Sequence, residues 1–135
     1  MPLIHSDEDL KAALTSVHRI AVIGAKSDGG PAERIPAYLR EHGYDVIPVN
    51  PKGGEVAGIT AVTSLGEAGD VDAVVLFRRS EAIPTHMQEV LDAKPQLAWM
   101  QLGIQNEEAA NAWSQAAISV VQDRCIMVEH RRLFA

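Results

Sequence analysis

The sequence of 135 residues has little cysteine, few aromatic residues and no excess of positive charge. Its single cysteine, Cys125, cannot form a disulfide within the chain, so we expect a cytoplasmic protein. Aromatic residues make up only 4% of the chain, which leaves little surface on which nucleic-acid bases could stack. The formal net charge of −6 also argues against a nucleic-acid partner, because binding to phosphate backbones requires clustered cations.

Long hydrophobic runs are absent as well, so the sequence predicts no membrane-spanning segment. Residues 1–8 lack the basic and apolar regions of a signal peptide. The chain is nevertheless 47% hydrophobic and 22% charged, which is typical of a folded protein rather than a disordered one. Its length fits one domain, and we therefore expect residues 1–135 to fold as a single unit.

Short apolar runs alternate with amphipathic segments along the whole chain. The run Arg19–Gly24 is continuously apolar, which is typical of a strand buried on both faces of a parallel sheet. Spacing and capping residues predict the other segments in the same way. The predicted helices are Ser6–Val17, Arg34–His42, Ser80–Ala93, Asn106–Ala117 and a short one after Cys125, with a helical turn at Ser64–Ala68; the further predicted strands are Tyr44–Val49, Ile59–Val62, Val71–Phe77, Leu97–Gln101 and Ile118–Gln122.

The alternation of strands and helices predicts an α/β protein built from βαβ units. We expect a three-layer, doubly wound, Rossmann-like fold with a mostly parallel sheet of five or six strands. In such folds ligands bind beyond the carboxyl ends of the strands. The residues that follow each strand are therefore the first candidates for a functional site.

The loop after the first strand begins with Gly24-Ala25-Lys26-Ser27. It matches neither the dinucleotide-binding glycine motif nor a P-loop, because Lys26 occupies a required glycine position and Gly30-Pro31 stand where a P-loop has Lys and Ser or Thr. Its glycines, its lysine and serine, and the helix that follows are still typical of a loop that binds phosphate. An ordinary flexible loop is the alternative.

The second strand ends at Asn50-Pro51-Lys52. A domain that binds NAD usually has an acidic residue there, which bonds the ribose 2′-hydroxyl. The absence of an acid and the nearby lysine favour an adenosine with an extra ribose phosphate, so NADP and coenzyme A both fit. Asn50 and Pro51 would also serve simple turn formation.

Three further strand ends carry candidate residues. Phe77-Arg78-Arg79 places two guanidinium groups, which suit phosphate, at the start of a helix. Alternatively, Phe77 closes the core and the arginines are solvated or pair with acids such as Glu81. Gln101 could bond an amide or a hydroxyl group of a ligand. Trp99 and Met100, within the same strand, are expected to pack in the core.

The last loop, Asp123-Arg124-Cys125, is followed by Glu129 and His130. Cys125 and His130 are five residues apart on a predicted helix, a poor spacing for a shared face, so we do not assign them a catalytic role. Asp123 and Arg124 are expected to take part in a structural ion pair. The five histidines are scattered without metal-ligand spacing, and no metal site is predicted.

Several of these segments together resemble a known family. The sequence is similar to the small single-domain CoA-binding proteins and to the CoA-binding N-terminal domain of the succinyl-CoA synthetase α subunit. The resemblance extends from about Val17 to Phe134. The segments that carry it are Ile20–Ala25, Pro36–Tyr44, Val46–Pro51, Phe77–Ser80, Trp99–Gly103 and Asp123–His130.

The resemblance implies a Rossmann-like domain that binds CoA across its first three strand-end loops. Residues 24–27 would hold the pyrophosphate, residues 50–52 would lie near the adenosine, and Phe77-Arg78 would lie beside the pantetheine arm. Members often carry an Arg-Pro pair before the first helix on the ligand side. This sequence has Gly30-Pro31 instead, and its nearest arginine is Arg34.

The reaction of succinyl-CoA synthetase requires a second domain and a further subunit, which 135 residues cannot contain. We therefore expect binding of CoA or an acyl-CoA without catalysis, as a carrier, sensor or accessory subunit. An NADP-binding or redox-sensing domain is one alternative. A structural module, which could form a homo-oligomer through the helix that carries Trp113, is another.

Overall fold

A computed structural model describes residues 3–134 as a parallel sheet between two layers of helices; Met1, Pro2 and Ala135 lie outside the described residues. Among the described residues, no helix is both long and apolar enough to cross a bilayer. The elements are α1 Asp7–Ser16, β1 Arg19–Ile23, α2 Pro31–Glu41, β2 Asp45–Val49, β3 Glu55–Val56, β4 Ile59–Thr60, β5 Ala73–Leu76, α3 Met87–Ala93, β6 Leu97–Met100, α4 Glu107–Gln115, β7 Ser119–Val121 and α5 Ile126–Leu133, with 3₁₀ segments at Leu65–Ala68 and Ser80–His86.

The main sheet has five strands in the order β2-β1-β5-β6-β7, and every neighbouring pair is parallel. Ile20 of β1 lies opposite Val46 on one side and Ala73 on the other. The chain runs from β1 outward to β2, and then returns past β1 to β5. The strand order therefore reverses between β1 and β5, which is where open α/β sheets form their ligand crevice. The predicted Rossmann-like fold is confirmed.

Alternate residues of each strand enter two separate cores. Val22, Val75 and Trp99 pack on the face covered by α1, α2 and α5. Val74 and Met100 pack on the opposite face, which α3 and α4 cover. This two-sided burial explains why the strand sequences are continuously apolar. Trp99 and Met100 are each 0% exposed, so their predicted place in the core is confirmed. Trp113 is also 0% exposed, so its ring packs inside the protein and not on the outer face of α4.

The helix predicted to begin at Arg34 begins instead at Pro31. Pro31 occupies the first turn, where its missing N–H costs nothing. A start at Arg34 was predicted because it places Pro36 in the first turn; a proline deeper inside a helix leaves the carbonyl four residues earlier without a donor. Here that carbonyl, Ala32 O, accepts from the Lys26 backbone N–H at 3.3 Å, so the loop supplies the missing donor.

The predicted strand Ile59–Val62 is not part of the main sheet. Its first half is β4, which pairs antiparallel with β3 in a separate hairpin. Ala57 and Gly58 form the turn with φ of 53° and 79°, as expected for a two-residue hairpin loop of type I′. Val62 makes only an isolated parallel bridge to Val49.

The predicted helix Ser80–Ala93 is divided into two elements. Its first half is the 3₁₀ segment Ser80–His86, and α3 begins only at Met87. Pro84 lies in the first half and has no N–H to donate, which is unfavourable for an α-helical turn. The change of helix type determines the direction in which His86 points.

Candidate functional site

A pocket opens where the carboxyl ends of β2, β1 and β5 meet. It has an empty volume of about 480 Å³. Gly24, Pro51 and Arg78 are the lining residues that were predicted from the sequence as site residues. The full lining consists of Ile23, Gly24, Val49, Pro51, Thr63, Ser64, Arg78, His86 and Glu89.

Gly24 holds the three strand ends together. Its backbone N–H donates to Val49 O at 3.1 Å, and its φ of +87° lies in the region that favours glycine. A Cβ at this position would lie 2.3 Å from Phe77 O, so no side chain fits between β1 and the end of β5. Gly24 therefore shapes the crevice whether or not its own N–H meets a ligand.

Asn50 joins the first and second loops through its side chain. Its Nδ2 donates to Ala25 O at 2.9 Å, and its Oδ1 accepts from the Lys52 backbone N–H at 2.8 Å. These contacts match turn formation, which the sequence offers as the alternative to ligand binding for Asn50. Pro51 lines the pocket beside it, and the exposed Lys52 side chain forms no ion pair within residues 3–134.

The glycine loop satisfies several of its donors internally. The backbone N–H of Gly29 donates to Glu33 Oε1, and that of Gly30 donates to Asp28 Oδ1, each at 2.8 Å. The Ser27 hydroxyl donates to Glu55 O at 2.5 Å. Two carboxylates thus occupy backbone donors next to the N-terminus of α2, the position where a loop of this type would hold an anion. Neither carboxylate was predicted to take this role, although an acidic residue at the third helical position, as at Glu33, is a common signal for a bond to a backbone N–H before the helix.

Positive side chains surround the same loop. Lys26 and Arg34 are both exposed, and Arg34 Nη1 donates to Gly29 O at 3.3 Å. Within the described chain, neither forms an ion pair with a carboxylate. With Lys52, they can meet an anionic ligand at the edge of the crevice.

The third loop sends its side chains in different directions. Phe77 is half-buried against the core on the α2 face. Arg78 lines the pocket, and its Nε donates to His86 Nε2 at 3.1 Å. Arg79 is exposed, with Nε 3.9 Å from Glu81 Oε2. Only Arg78 of the three therefore lines this pocket.

His86 and Glu89 are pocket residues that the sequence analysis missed. His86 Nδ1 lies 2.5 Å from Glu89 Oε2, and both side chains are partly exposed toward the pocket. Their spacing of three residues after the third loop was a possible signal. The predicted continuous helix from Ser80 obscured this signal, because the direction of the His86 side chain depends on the 3₁₀ segment that takes the place of the first half of that helix.

Gln101 is buried away from the pocket. Its side-chain Oε1 accepts from the Ile126 backbone N–H at 3.0 Å, so it connects the end of β6 to the first turn of α5. Gln101 was predicted to bond an amide or a hydroxyl group of a ligand, but the amide that it bonds here belongs to the protein's own backbone.

The last loop is also held by internal contacts. Asp123 Oδ1 accepts from the Gly103 N–H at 2.6 Å, while Arg124 pairs with Glu129 at 3.2 Å. His130 Nδ1 lies 2.7 Å from the Tyr38 hydroxyl. Burial lowers the pKa of His130, and the nearby His42 lowers it further. Within residues 3–134, no cluster of His, Cys, Asp and Glu could hold a metal ion.

Comparison with known proteins gives consistent matches over nearly the whole chain. A family model described as a CoA binding domain matches residues 18–131. The uncharacterized protein YneT of Bacillus subtilis is 36% identical over 127 residues, which cover 93% of this chain and 94% of that protein.

Solved structures agree with this match. The cell-free ID.343 structure from Thermus thermophilus is 46% identical with a TM-score of 0.91, and it covers 96% of this chain and 100% of the other. A hypothetical protein from Pyrococcus horikoshii OT3 is 34% identical with a TM-score of 0.91, covering 97% of this chain and 94% of the other.

Proposed function

The chain belongs to the CoA-binding domain family, and from this premise we propose that it binds coenzyme A or an acyl-CoA at the carboxyl ends of β2, β1 and β5. The observation that supports the proposal best is the pocket between these strand ends, with Lys52 beyond β2. A lysine there suits a ribose phosphate, whereas an NAD site uses an acid at the end of this strand. CoA carries such a phosphate on the 3′ position of its ribose.

We place the parts of CoA by charge and by strand order. The adenosine lies in the pocket beside Pro51, with its 3′-phosphate toward Lys52. The pyrophosphate lies over the loop Gly24–Ser27, within reach of Lys26 and Arg34. The pantetheine arm leaves past Phe77, whose half-buried ring offers it an apolar surface.

Arg78, Arg79, Asn50 and Gln101 differ in how directly they would act. Arg78, for which the resemblance implied a place beside the pantetheine arm, lines the pocket and would instead face the adenosine. Arg79 is exposed and would contribute long-range attraction. Asn50 and Gln101 support the site through the backbone contacts that they already make.

We further propose that the whole chain is one cytoplasmic, nucleotide-binding domain similar to that of the succinyl-CoA synthetase α subunit. Its role is to bind CoA as a carrier, sensor or accessory subunit, without catalysis of its own. The contacts of Cys125 and His130 support this view. His130 bonds the Tyr38 hydroxyl of α2, while Cys125 lies just before α5. Within residues 3–134, no hydrogen bond joins Cys125 and His130 as a nucleophile and its base.

The proposal is tested by comparing CoA, acetyl-CoA, NADP and NAD in one thermal-shift series. A ligand that binds the folded state stabilises it by RT ln(1 + [L]/Kd), which is about 2.7 kcal/mol at 100 times Kd. We expect stabilisation by CoA or acetyl-CoA. Stabilisation by NADP and not by CoA would instead support the NADP-binding alternative, because Lys52 also suits a 2′-phosphate.

The role of Lys52 is tested by Lys52→Ala with CoA and dephospho-CoA as paired ligands. An exposed ion pair contributes about 1 kcal/mol or less, so we expect up to about a fivefold loss of CoA affinity and little change for dephospho-CoA. Titration calorimetry measures both. Lys11→Ala, in α1, is the matched control for loss of one positive charge. An equal loss for both ligands in Lys52→Ala would place Lys52 away from the 3′-phosphate.

A further inference from the structure

We propose that the pocket between β2, β1 and β5 is a purine site in which Glu89, held by His86, accepts a hydrogen bond from the exocyclic amine of adenine. The protein then selects adenine over bases that carry an oxygen at that position. This inference rests on the proposed binding of CoA, and it names the group that reads the base.

The pocket has the surfaces that a flat aromatic base requires. Its floor is formed by Ile23 and Val49 at the ends of β1 and β2. Pro51 adds an apolar wall, and Gly24 leaves room because it has no side chain. Ligand pockets are typically apolar with a few polar groups that set orientation.

The polar groups on the other wall form a connected chain. Arg78 Nε donates to His86 Nε2 at 3.1 Å, and an arginine can only donate. His86 Nε2 must therefore accept, which leaves the proton of the neutral ring on Nδ1. That N–H faces Glu89 Oε2 at 2.5 Å. His86 thus holds the carboxylate in place through one oxygen.

The second oxygen of Glu89 remains available to a ligand. Within residues 3–134, Glu89 Oε1 accepts no hydrogen bond, and the Glu89 side chain, which lines both this pocket and the adjacent one beside Asp92, is 33% exposed. The Thr63 hydroxyl, which also belongs to a lining residue, is already bonded to Glu67. Glu89 is therefore the carboxylate that lines this pocket with an unused acceptor.

An unused carboxylate oxygen distinguishes between purines by chemistry alone. An ionised carboxylate only accepts hydrogen bonds. The amine of adenine donates one, whereas hypoxanthine and guanine present a carbonyl oxygen in the same place. Two acceptors facing each other lose the bond and repel, so the wrong base is rejected more strongly than by shape.

The experiment compares adenosine 3′,5′-bisphosphate with inosine 3′,5′-bisphosphate by titration calorimetry, with CoA as the reference ligand. These two probes keep the same phosphates and differ at C6, the position that Glu89 reads, but inosine also carries a proton on N1 that a carboxylate can accept. Purine riboside 3′,5′-bisphosphate, which has hydrogen at C6 and no proton on N1, is therefore the second comparison, and we expect it to bind as weakly as the inosine compound. We expect the wild-type protein to prefer the adenosine compound by about tenfold or more, the effect of one hydrogen bond to a charged group. In Glu89→Gln we expect the preference to fall to about twofold or less, because an amide both donates and accepts.

Two further variants complete the comparison. Asp92→Asn removes a carboxylate one turn further along α3, outside this pocket, and should keep the wild-type preference. His86→Gln frees Glu89 from its support and should reduce the preference while phosphate affinity persists.

The outcomes separate this inference from the proposed function. Equal binding of the two bisphosphates by a wild-type protein that binds CoA would overturn the purine assignment alone. An unchanged preference in both Glu89→Gln and His86→Gln would do the same. Failure of the wild-type protein to bind CoA would overturn the proposed function and the purine site together.

Discussion

Gly24 shows how one residue can set the shape of the whole crevice. The sequence analysis singled it out as a possible phosphate contact, because glycines let backbone N–H groups approach an anion. The structure adds a second reason for glycine, since Phe77 O occupies the space of any Cβ and Val49 O takes the N–H. The structural demand alone therefore requires glycine here, because the N–H that a phosphate would have met is already bonded within the sheet.

Replacing Gly24 with alanine is expected to lower the free energy of unfolding by about 3 kcal/mol or more. The added Cβ meets backbone rather than a flexible side chain, and the positive φ adds about 1–2 kcal/mol of strain. Urea denaturation measures the change. Gly43→Ala is the matched control, because its φ is +96° with nothing within 4 Å of a Cβ. If both variants lose the same small amount, the close approach at Phe77 is not the reason for glycine.

The residues that sequence reasoning missed at the site depend on contacts between elements. Glu89 and His86 face the pocket because the chain changes from a 3₁₀ segment to α3 between them. No local pattern shows that change before the backbone path is known. Pro51 and Arg78, which line the pocket, were in contrast predictable, because they follow strands closely and strand ends converge at one edge of a parallel sheet.

At the scale of elements, the five strands of the main sheet were predicted well because burial on both faces leaves a continuous apolar run, whereas the predicted strand Ile59–Val62 falls in the separate hairpin. The predictions were wrong where a proline interrupts a helix. The helix accommodates Pro36 because the Lys26 N–H replaces the lost donor. The chain around Pro84 forms a 3₁₀ segment instead of an α-helix. The outcome at Pro36 depends on a loop residue ten positions earlier, whereas the outcome at Pro84 follows from the proline's own missing N–H.

The N-terminus of α2 is an element in which folding and binding have opposite requirements. Glu33 bonds the Gly29 N–H, which favours the helix, and its charge opposes a pyrophosphate in the same loop. A charge near a helix end contributes about 0.3–1 kcal/mol, so Glu33→Gln should slightly lower stability. The same loss of charge should tighten CoA binding about two- to fivefold. Calorimetry and thermal unfolding measure the two effects.

Glu41→Gln is the control for this element, because it removes an acid from the far end of α2. It should leave CoA affinity unchanged. If Glu33→Gln weakens CoA binding, the pyrophosphate does not lie over this loop.

At the scale of the whole molecule, distant segments of the chain meet around His130. Its ring is stacked on Phe134, contacts His42 and Tyr44, and bonds the Tyr38 hydroxyl. Arg132 of the same helix forms a two-pronged ion pair with Asp7 of α1. Helix α5 therefore connects α1 with α2.

This cluster predicts a dependence of stability on pH. Burial, with a smaller effect of His42, lowers the pKa of His130 below its ordinary value of 6.5, so the folded state resists a proton that the unfolded chain accepts. Stability should therefore fall as the pH drops below about 6.5, and this loss should stop below the lower folded pKa. His130→Gln should flatten the profile at pH values below about 6.5, while His5→Gln, at an exposed site, is the control variant. Equal slopes in both variants, measured by urea denaturation, would contradict this account.

Both outer strands of the sheet already have a neighbour on their open side. Val120 O of β7 accepts from the Ile4 N–H, and Pro48 O of β2 accepts from Val62. Because Pro48 has no N–H, this side of β2 offers one donor fewer to another chain. These contacts occupy backbone groups with which a second molecule could extend the sheet, and this protects both edges against edge-to-edge aggregation.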